Sequence, residues 1–159
     1  MLELINQLTA LQIYLKDAHY NFRGVDFKPL HEWSDEIGDP IAEFLDEIKE
    51  SVYLRRGLEV PRGTEINMNA AFYVPSTVGN DNREILSNLQ AMISMIHQTI
   101  NGMDDLTAGD GDILGRLDSH LEKHLGYSLN EAGMLMSACG NLQFCQVVDP
   151  ERTVRMAVP

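Results

Sequence analysis

The 159-residue chain has little positive charge. Its 12 Lys and Arg face 24 Asp and Glu, which gives a formal net charge of −12. Phosphate backbones are bound mainly through Lys and Arg, so we expect no DNA binding. An acidic chain attracts cations instead.

Long apolar runs are also missing, and cysteine is scarce. No stretch approaches the eighteen or so apolar residues of a membrane span, and the amino terminus lacks the basic start of a signal peptide. We therefore expect a cytoplasmic protein with no membrane association. The two cysteines, Cys139 and Cys145, fit a disulfide, a thiolate metal site or two reduced thiols, and a cytoplasmic location favours reduced thiols. Their role stays open.

Apolar residues recur at three- and four-residue spacing and predict four helices without strands. The predicted helices span residues 2–22, 27–56, 82–106 and a stretch from the Gly109–Asp112 turn to residue 139. A long link over residues 59–80 holds a short helix around Met68–Phe72. This order predicts an all-α, ferritin-like four-helix bundle over residues 1–139, with a long crossover between helices 2 and 3. Residues 140–159 form an irregular tail.

The second predicted helix contains Gly38-Asp39-Pro40. Proline lacks the backbone N–H of a helical residue, and Asp39 can cap a new helix that begins at Pro40. We therefore expect a kink or a break at this point.

Five side chains that bind metals recur at regular spacing in the first fifty residues: His19, His31, Asp35, Asp46 and Glu50. Imidazole and carboxylate ligands together suit iron or manganese, and zinc less well. His31 and Asp46 are about 22 Å apart along a straight helix. Either the two halves of the set serve different sites, or a second copy of the chain supplies the missing half.

Helical phase supports the second option. The core-facing stripe of the second predicted helix holds Leu30, Ile37, Ile41, Phe44, Leu45, Ile48 and Val52. The four candidate ligands on the same helix point away from that stripe. No His has a Glu three residues before it, as a centre within one bundle requires. A second apolar set on the first helix, Leu2, Ile13 and Tyr20, predicts a subunit contact.

These segments resemble the signature of the Dps miniferritins (DNA-binding proteins from starved cells). The residues that match are Asp17-Ala-His19-Tyr20-Asn21-Phe22-Arg23-Gly24, then Phe27, Leu30-His31-Glu32, Asp35, Asp46-Glu47-Ile48 and Glu50. All five ligand positions have the family's spacing, which is highly specific. A weaker match is Leu121-Glu122-Lys123-His124, and the resemblance covers roughly residues 1–138.

The resemblance implies a hollow homo-dodecamer with ferroxidase centres at two-fold interfaces. One subunit would supply His19, His31 and Asp35, and its mate Asp46 and Glu50. The implied reaction oxidises Fe(II), preferably with hydrogen peroxide, stores ferric mineral and protects against oxidative damage. Tyr20 replaces a tryptophan usual in the family. The Lys-rich extension by which some members bind DNA is missing, so DNA binding remains unexpected.

Two further groups of residues leave alternatives open. Asp110 and Asp112 are candidates for an acidic pore at three-fold contacts of the implied cage, or for helix N-caps. His97, His120 and His124 fit a three-histidine metalloenzyme on a four-helix scaffold. A structural or nucleoid-associated cage with a silent ferroxidase site is another alternative.

Overall fold

The computed structural model describes residues 1–104 and 106–125, apart from the side chains of residues 51, 52 and 125. Within this part all regular secondary structure is helical, as predicted. The helices are α1 (Leu2–Asn21), α2 (Phe27–Glu47), α3 (Gly63–Ala70), α4 (Asn82–Asn101) and α5 (Ala108–Leu125). A 3-10 turn (Gly24–Asp26) precedes α2, and a π-helical segment (Ile48–Leu54) continues it.

Four of the helices form a closed ring. α1 packs against α2 and α4, and α5 packs against the same two helices. Helices α2 and α4 therefore lie at opposite corners, and the link between them crosses the bundle. The link carries α3, which packs against α1. The predicted crossover is present, but its helix begins at Gly63 and not near Met68.

The predicted apolar stripes form the core. Ile37, Ile41 and Ile48 have no exposed area, and Leu30 and Phe44 pack partly buried against them. The side chain of Val52 is outside the described residues. Burial of a large aliphatic side chain stabilises the fold by about 1.5–3 kcal/mol, so these stripes fix which face of each helix is left for other contacts.

Of the two outcomes expected at Gly38–Pro40, a kink or a break, the break is wrong. Helix α2 continues through Pro40. Proline in a helix interior costs about 3 kcal/mol, but Ile37 and Ile41 on either side are fully buried and hold both halves of the helix against the core. At Gly38 a Cβ atom would lie 3.6 Å from the Leu15 side chain, which shows how closely α1 approaches α2.

The predicted helix ends are partly wrong. Helix α4 begins at Asn82 as predicted, with the Asp81 side chain accepting a hydrogen bond from the Glu84 N–H, but it ends at Asn101 and not at residue 106. The predicted Gly109–Asp112 turn is the first turn of α5. The predicted end of that helix at residue 139, Cys139, Cys145 and the tail 140–159 lie outside the described residues.

Candidate metal centre

The junction of α1 and α2 brings three of the five predicted ligands together. His19 lies near the end of α1, and His31 and Asp35 lie one turn apart on α2. The chain reverses between them at Gly24, whose φ of +74° favours glycine. The ligating atoms of His19, His31 and Asp35 lie within 4.8 Å of one another.

The backbone sets the tautomer of His31. Its Nδ1 lies 3.1 Å from the carbonyl oxygen of His19. A carbonyl oxygen only accepts hydrogen bonds, so Nδ1 carries the proton and donates it. The lone pair of His31 is therefore on Nε2, where a metal ion can bind.

Ser34 sets the tautomer of His19 in the same way. The Ser34 hydroxyl donates to the carbonyl oxygen of His31 at 2.7 Å and lies 3.2 Å from Nδ1 of His19. Since its proton is already donated, the hydroxyl can only accept from His19. Asp35 Oδ1 lies 3.1 Å from the same nitrogen and is also an acceptor. His19 thus carries its proton on Nδ1 and its lone pair on Nε2, as metal-binding histidines with outer-shell partners do.

The rings around the centre are closely packed. The His19 and His31 rings lie 3.5 Å apart between centroids, with an interplanar angle of 33°. The Tyr20 ring meets His19 edge-on at 4.9 Å, and the Phe27 ring lies 5.0 Å from His31. His19 is buried, whereas Tyr20 is 70% exposed and Phe27 is 41% exposed. The centre is therefore bordered by exposed aromatic area.

The carboxylate of the cluster is accessible to a cation. Lys16 Nζ lies 3.4 Å from Asp35 Oδ1, and both side chains are substantially exposed, so the pair is weak. A groove of about 440 Å³ between α1 and α2 passes these residues. Its lining consists of Gln12, Leu15, Lys16, Ser34, Asp35, Gly38, Asp39 and Ala42. A cation that reaches Asp35 competes with Lys16 and with the Nδ1–H of His19 for Oδ1.

Asp46 and Glu50 are not part of this cluster. Both are exposed, and neither makes an ion pair or side-chain hydrogen bond with another residue in the described ranges. Asp46 lies on α2, but Glu50 lies on the π-helical segment, which has wider turns than the α-helix assumed in the prediction. π-Helical turns are frequent at functional sites. The structure thus places two carboxylates outside the cluster, with no side-chain partner among the described residues.

The pore candidates have different environments. Asp110 is 1% exposed and forms a capping box with Thr107, in which each backbone N–H donates to the other side chain at 3.2 Å. Arg56 donates to Asp110 at 2.9 Å, and this hydrogen bond holds the pKa of the carboxyl below its ordinary value. Asp112 is exposed and pairs with Arg116 at 3.2 Å. Asp110 therefore has a structural role in this chain, and pore lining remains a prediction for Asp112.

The three histidines of the alternative site do not converge. Among the described residues, His97 lies within ligating distance of Asp118 and Glu122, and the three histidines do not form a group whose ligating atoms are all within 4.8 Å of one another. The His120 and His124 rings are 5.0 Å apart. His124 is buried, and its pKa is lowered, mainly by burial and to a smaller extent by neighbouring His120. The three-histidine arrangement is thus not formed.

Sequence reasoning missed Ser34. Its only signal is position, since a serine three residues after a histidine on a helix reaches that histidine's carbonyl oxygen. The approach of α2 to α1 gives the same hydroxyl its contact with His19. No sequence pattern predicts this contact between Ser34 and His19.

Comparisons with known proteins give one distant similarity. The chain is 27% identical to General stress protein 20U of Bacillus subtilis over 122 residues, which are 73% of this chain and 83% of the relative. No protein-family model matches the chain. No solved structure matches it either. In the described part of the chain, no helix is both long enough and apolar enough to cross a membrane.

Proposed function

We propose that the chain is a Dps-like ferroxidase and iron-storage protein, with Fe(II) as its substrate. The observation that carries the proposal is the His19–His31–Asp35 cluster, in which hydrogen bonds leave Nε2 of both imidazoles available to a metal ion. Nitrogen and carboxylate ligands in this ratio suit iron. The similarity to a general stress protein fits a role in protection against oxidative damage.

The proposed centre lies between two subunits. Asp46 and Glu50 are exposed and have no side-chain partner in the part of the chain that the structure describes, and the cluster has one carboxylate of its own. A two-fold interface gives each chain's cluster the partner's Asp46 and Glu50, because such an interface makes every contact twice. The exposed rings of Tyr20 and Phe27 beside the cluster supply apolar area for this interface.

The proposed assembly is a hollow, ferritin-like dodecamer. The closed ring of α1, α2, α5 and α4, with a crossover between the diagonal helices, has the connectivity of ferritin-like bundles. The net charge of −12 per chain favours an interior that accumulates cations. Ferric mineral would be stored in that interior.

In the proposed reaction two Fe(II) ions each give one electron to one molecule of hydrogen peroxide. The O–O bond breaks, two protons are taken up, and two water molecules form beside two Fe(III) ions. The carboxylates of Asp35, Asp46 and Glu50 stabilise the higher charge of the product. Ser34 and the His19 carbonyl keep both imidazoles in the metal-binding tautomer during turnover.

Anaerobic addition of Fe(II) followed by hydrogen peroxide, with size-exclusion chromatography of the same sample, tests the proposal. We expect a shell of about twelve subunits and oxidation much faster than in protein-free buffer. The matched variant Asp35→Asn keeps the size of the side chain and should slow oxidation while the assembly persists. A monomer, or oxidation no faster than in buffer, would contradict the proposal.

A further inference from the structure

A second group of metal-binding side chains lies between α4 and α5. His97 projects from α4, and Asp118 and Glu122 lie one turn apart on α5. Their ligating atoms are within 4.8 Å of one another. None of these residues belongs to the centre between α1 and α2.

Two carboxylates converge on one imidazole nitrogen. His97 Nδ1 lies 2.8 Å from Asp118 Oδ1 and 3.8 Å from Glu122 Oε1. In the described ranges, neither carboxylate has an ion pair with Lys or Arg. One imidazole balances at most one negative charge, so the group keeps an excess of negative charge. Asp118 is largely shielded, with 19% of its side chain exposed, which strengthens its attraction for a cation.

We propose that His97, Asp118 and Glu122 bind a divalent first-row transition-metal ion, with water completing its coordination. Imidazole nitrogen and carboxylate oxygen are ligand types that zinc and other divalent first-row ions bind, and an open position is left for water. Ligand atoms about 2.1 Å from such an ion are about 3.0–3.4 Å from each other. The 2.8 Å spacing is slightly shorter than this range and opens when the metal replaces the shared proton, and the exposed Glu122 side chain has the freedom to close the 3.8 Å spacing.

Asn101 is the outer-shell partner of this site. Its side-chain amide lies 2.9 Å from Nε2 of His97, one turn away on α4. When a metal ion replaces the proton on Nδ1, the proton moves to Nε2. A rotated Asn101 amide then accepts it through its oxygen, since the two ends of the amide have nearly the same shape. Such a hydrogen bond orients the ring toward the metal.

The proposal does not depend on ferroxidase activity, so its test uses Zn²⁺ alone. Isothermal titration is performed on His19→Ala/His31→Ala, which lacks the imidazoles of the first centre. We expect this background to bind a single Zn²⁺ ion per chain. Asp118→Asn keeps a hydrogen-bond acceptor for His97 but removes a charged ligand, and it should weaken binding at least ten-fold. Glu122→Gln alters an exposed side chain that the fold does not require, and it should weaken binding in the same direction.

Two further variants separate metal binding from a structural hydrogen bond. Asn101→Ala removes only the outer-shell partner and should weaken Zn²⁺ binding by roughly ten-fold or more. Glu43→Gln removes an exposed acid outside both clusters and should leave binding unchanged. Absence of Zn²⁺ binding in the background, or equal affinity in the background and in Asp118→Asn and Glu122→Gln, would overturn the proposal. A loss of thermal stability in Asp118→Asn without any loss of Zn²⁺ affinity would also overturn it.

Discussion

The two candidate metal-binding clusters of this chain arrange their histidines in opposite ways. Between α1 and α2, both imidazoles donate through Nδ1 to protein acceptors and keep Nε2 available. Between α4 and α5, protein groups occupy both nitrogens of His97. The first cluster has both imidazoles in the tautomer that leaves Nε2 open but has one carboxylate, whereas the second has two carboxylates but must move a proton from Nδ1 to Nε2 of His97 before a metal binds. The first cluster therefore depends on further ligands from elsewhere.

Removal of a histidine ligand should have the largest effect, because it lowers the metal affinity of one cluster and not of the other. His31→Ala deletes one of two imidazoles from the first cluster, and we expect its Co²⁺ affinity to fall by roughly a hundred-fold or more, beyond the effect of losing an outer-shell partner. The second cluster should keep its affinity, because its ligands lie on other helices. Anaerobic titration followed by visible absorption of bound Co²⁺ measures both. His120→Ala, a histidine outside both clusters, is the control, and equal losses in the two variants would refute the assignment.

Ser34→Ala should lower the metal affinity of the first cluster by disturbing the tautomer of His19, although every ligand is kept. A metal ion that binds Asp35 removes one acceptor from His19 Nδ1, so the Ser34 hydroxyl is the acceptor that remains. We expect metal affinity to fall about ten- to a hundred-fold. Nitrogen NMR of the His19 ring should show more of the Nε2–H tautomer. Ser34→Thr keeps the hydroxyl and should retain most of the affinity, and an unchanged tautomer in Ser34→Ala would contradict the role of Ser34.

Asp110→Asn should destabilise α5, the helix that carries Asp118 and Glu122 of the second cluster. Asp110 caps α5 and accepts from Arg56, and loss of its charge should lower the free energy of unfolding by about 2 kcal/mol at pH 7. Its folded pKa is lowered, so its contribution is present above the unfolded pKa of about 3.9 and is lost as pH falls through the folded value. Urea unfolding of both proteins at several pH values measures this. A stability difference that grows below pH 4 would contradict the account.

Lys16→Met should have the smallest effect, and it should raise metal affinity where the other variants lower affinity or stability. Lys16 pairs with Asp35 across an exposed gap and competes with an incoming cation for that carboxylate. Since exposed pairs are weak, we expect metal affinity of the first cluster to rise by about two- to five-fold at low salt. The gain should shrink as salt screens the pair. Lys28→Met, which removes a lysine paired with Glu32, is the matched control.

Periodicity predicted the faces of the helices better than their ends. The buried stripe of α2 and the exposed position of Asp46 follow from a spacing of 3.6 residues per turn, which holds over many residues. The break at Pro40 was predicted from the cost of proline in a helix interior, but the burial of Ile37 and Ile41 in the core outweighs that cost. The turn at Gly109–Asp112 was predicted from two glycines, yet the capping box of Thr107 and Asp110 begins α5 there.

From spacing alone the candidate site was predictable only where ligands share a helix, and the family resemblance was needed to group His19 with His31 and Asp35. His31 and Asp35 are neighbours by spacing alone, and His19 joins them because the chain reverses at Gly24. The π-helical segment that carries Glu50 was not predicted, since no residue type specifies an i to i+5 hydrogen bond. The second cluster was missed for a similar reason. Asp118 and Glu122 share a face of α5, but only the packing of α4 against α5 brings His97 to them.

A mixed-oligomer experiment tests the central claim, a ferroxidase centre shared between two chains, most directly. His19→Ala and Asp46→Ala are each expected to abolish rapid peroxide-dependent Fe(II) oxidation when alone. At a two-fold interface between one chain of each kind, one of the two centres receives only wild-type ligands. Random co-assembly of equal amounts should therefore restore about a quarter of the wild-type centres. No recovery in oligomers shown to contain both chains would contradict a shared centre.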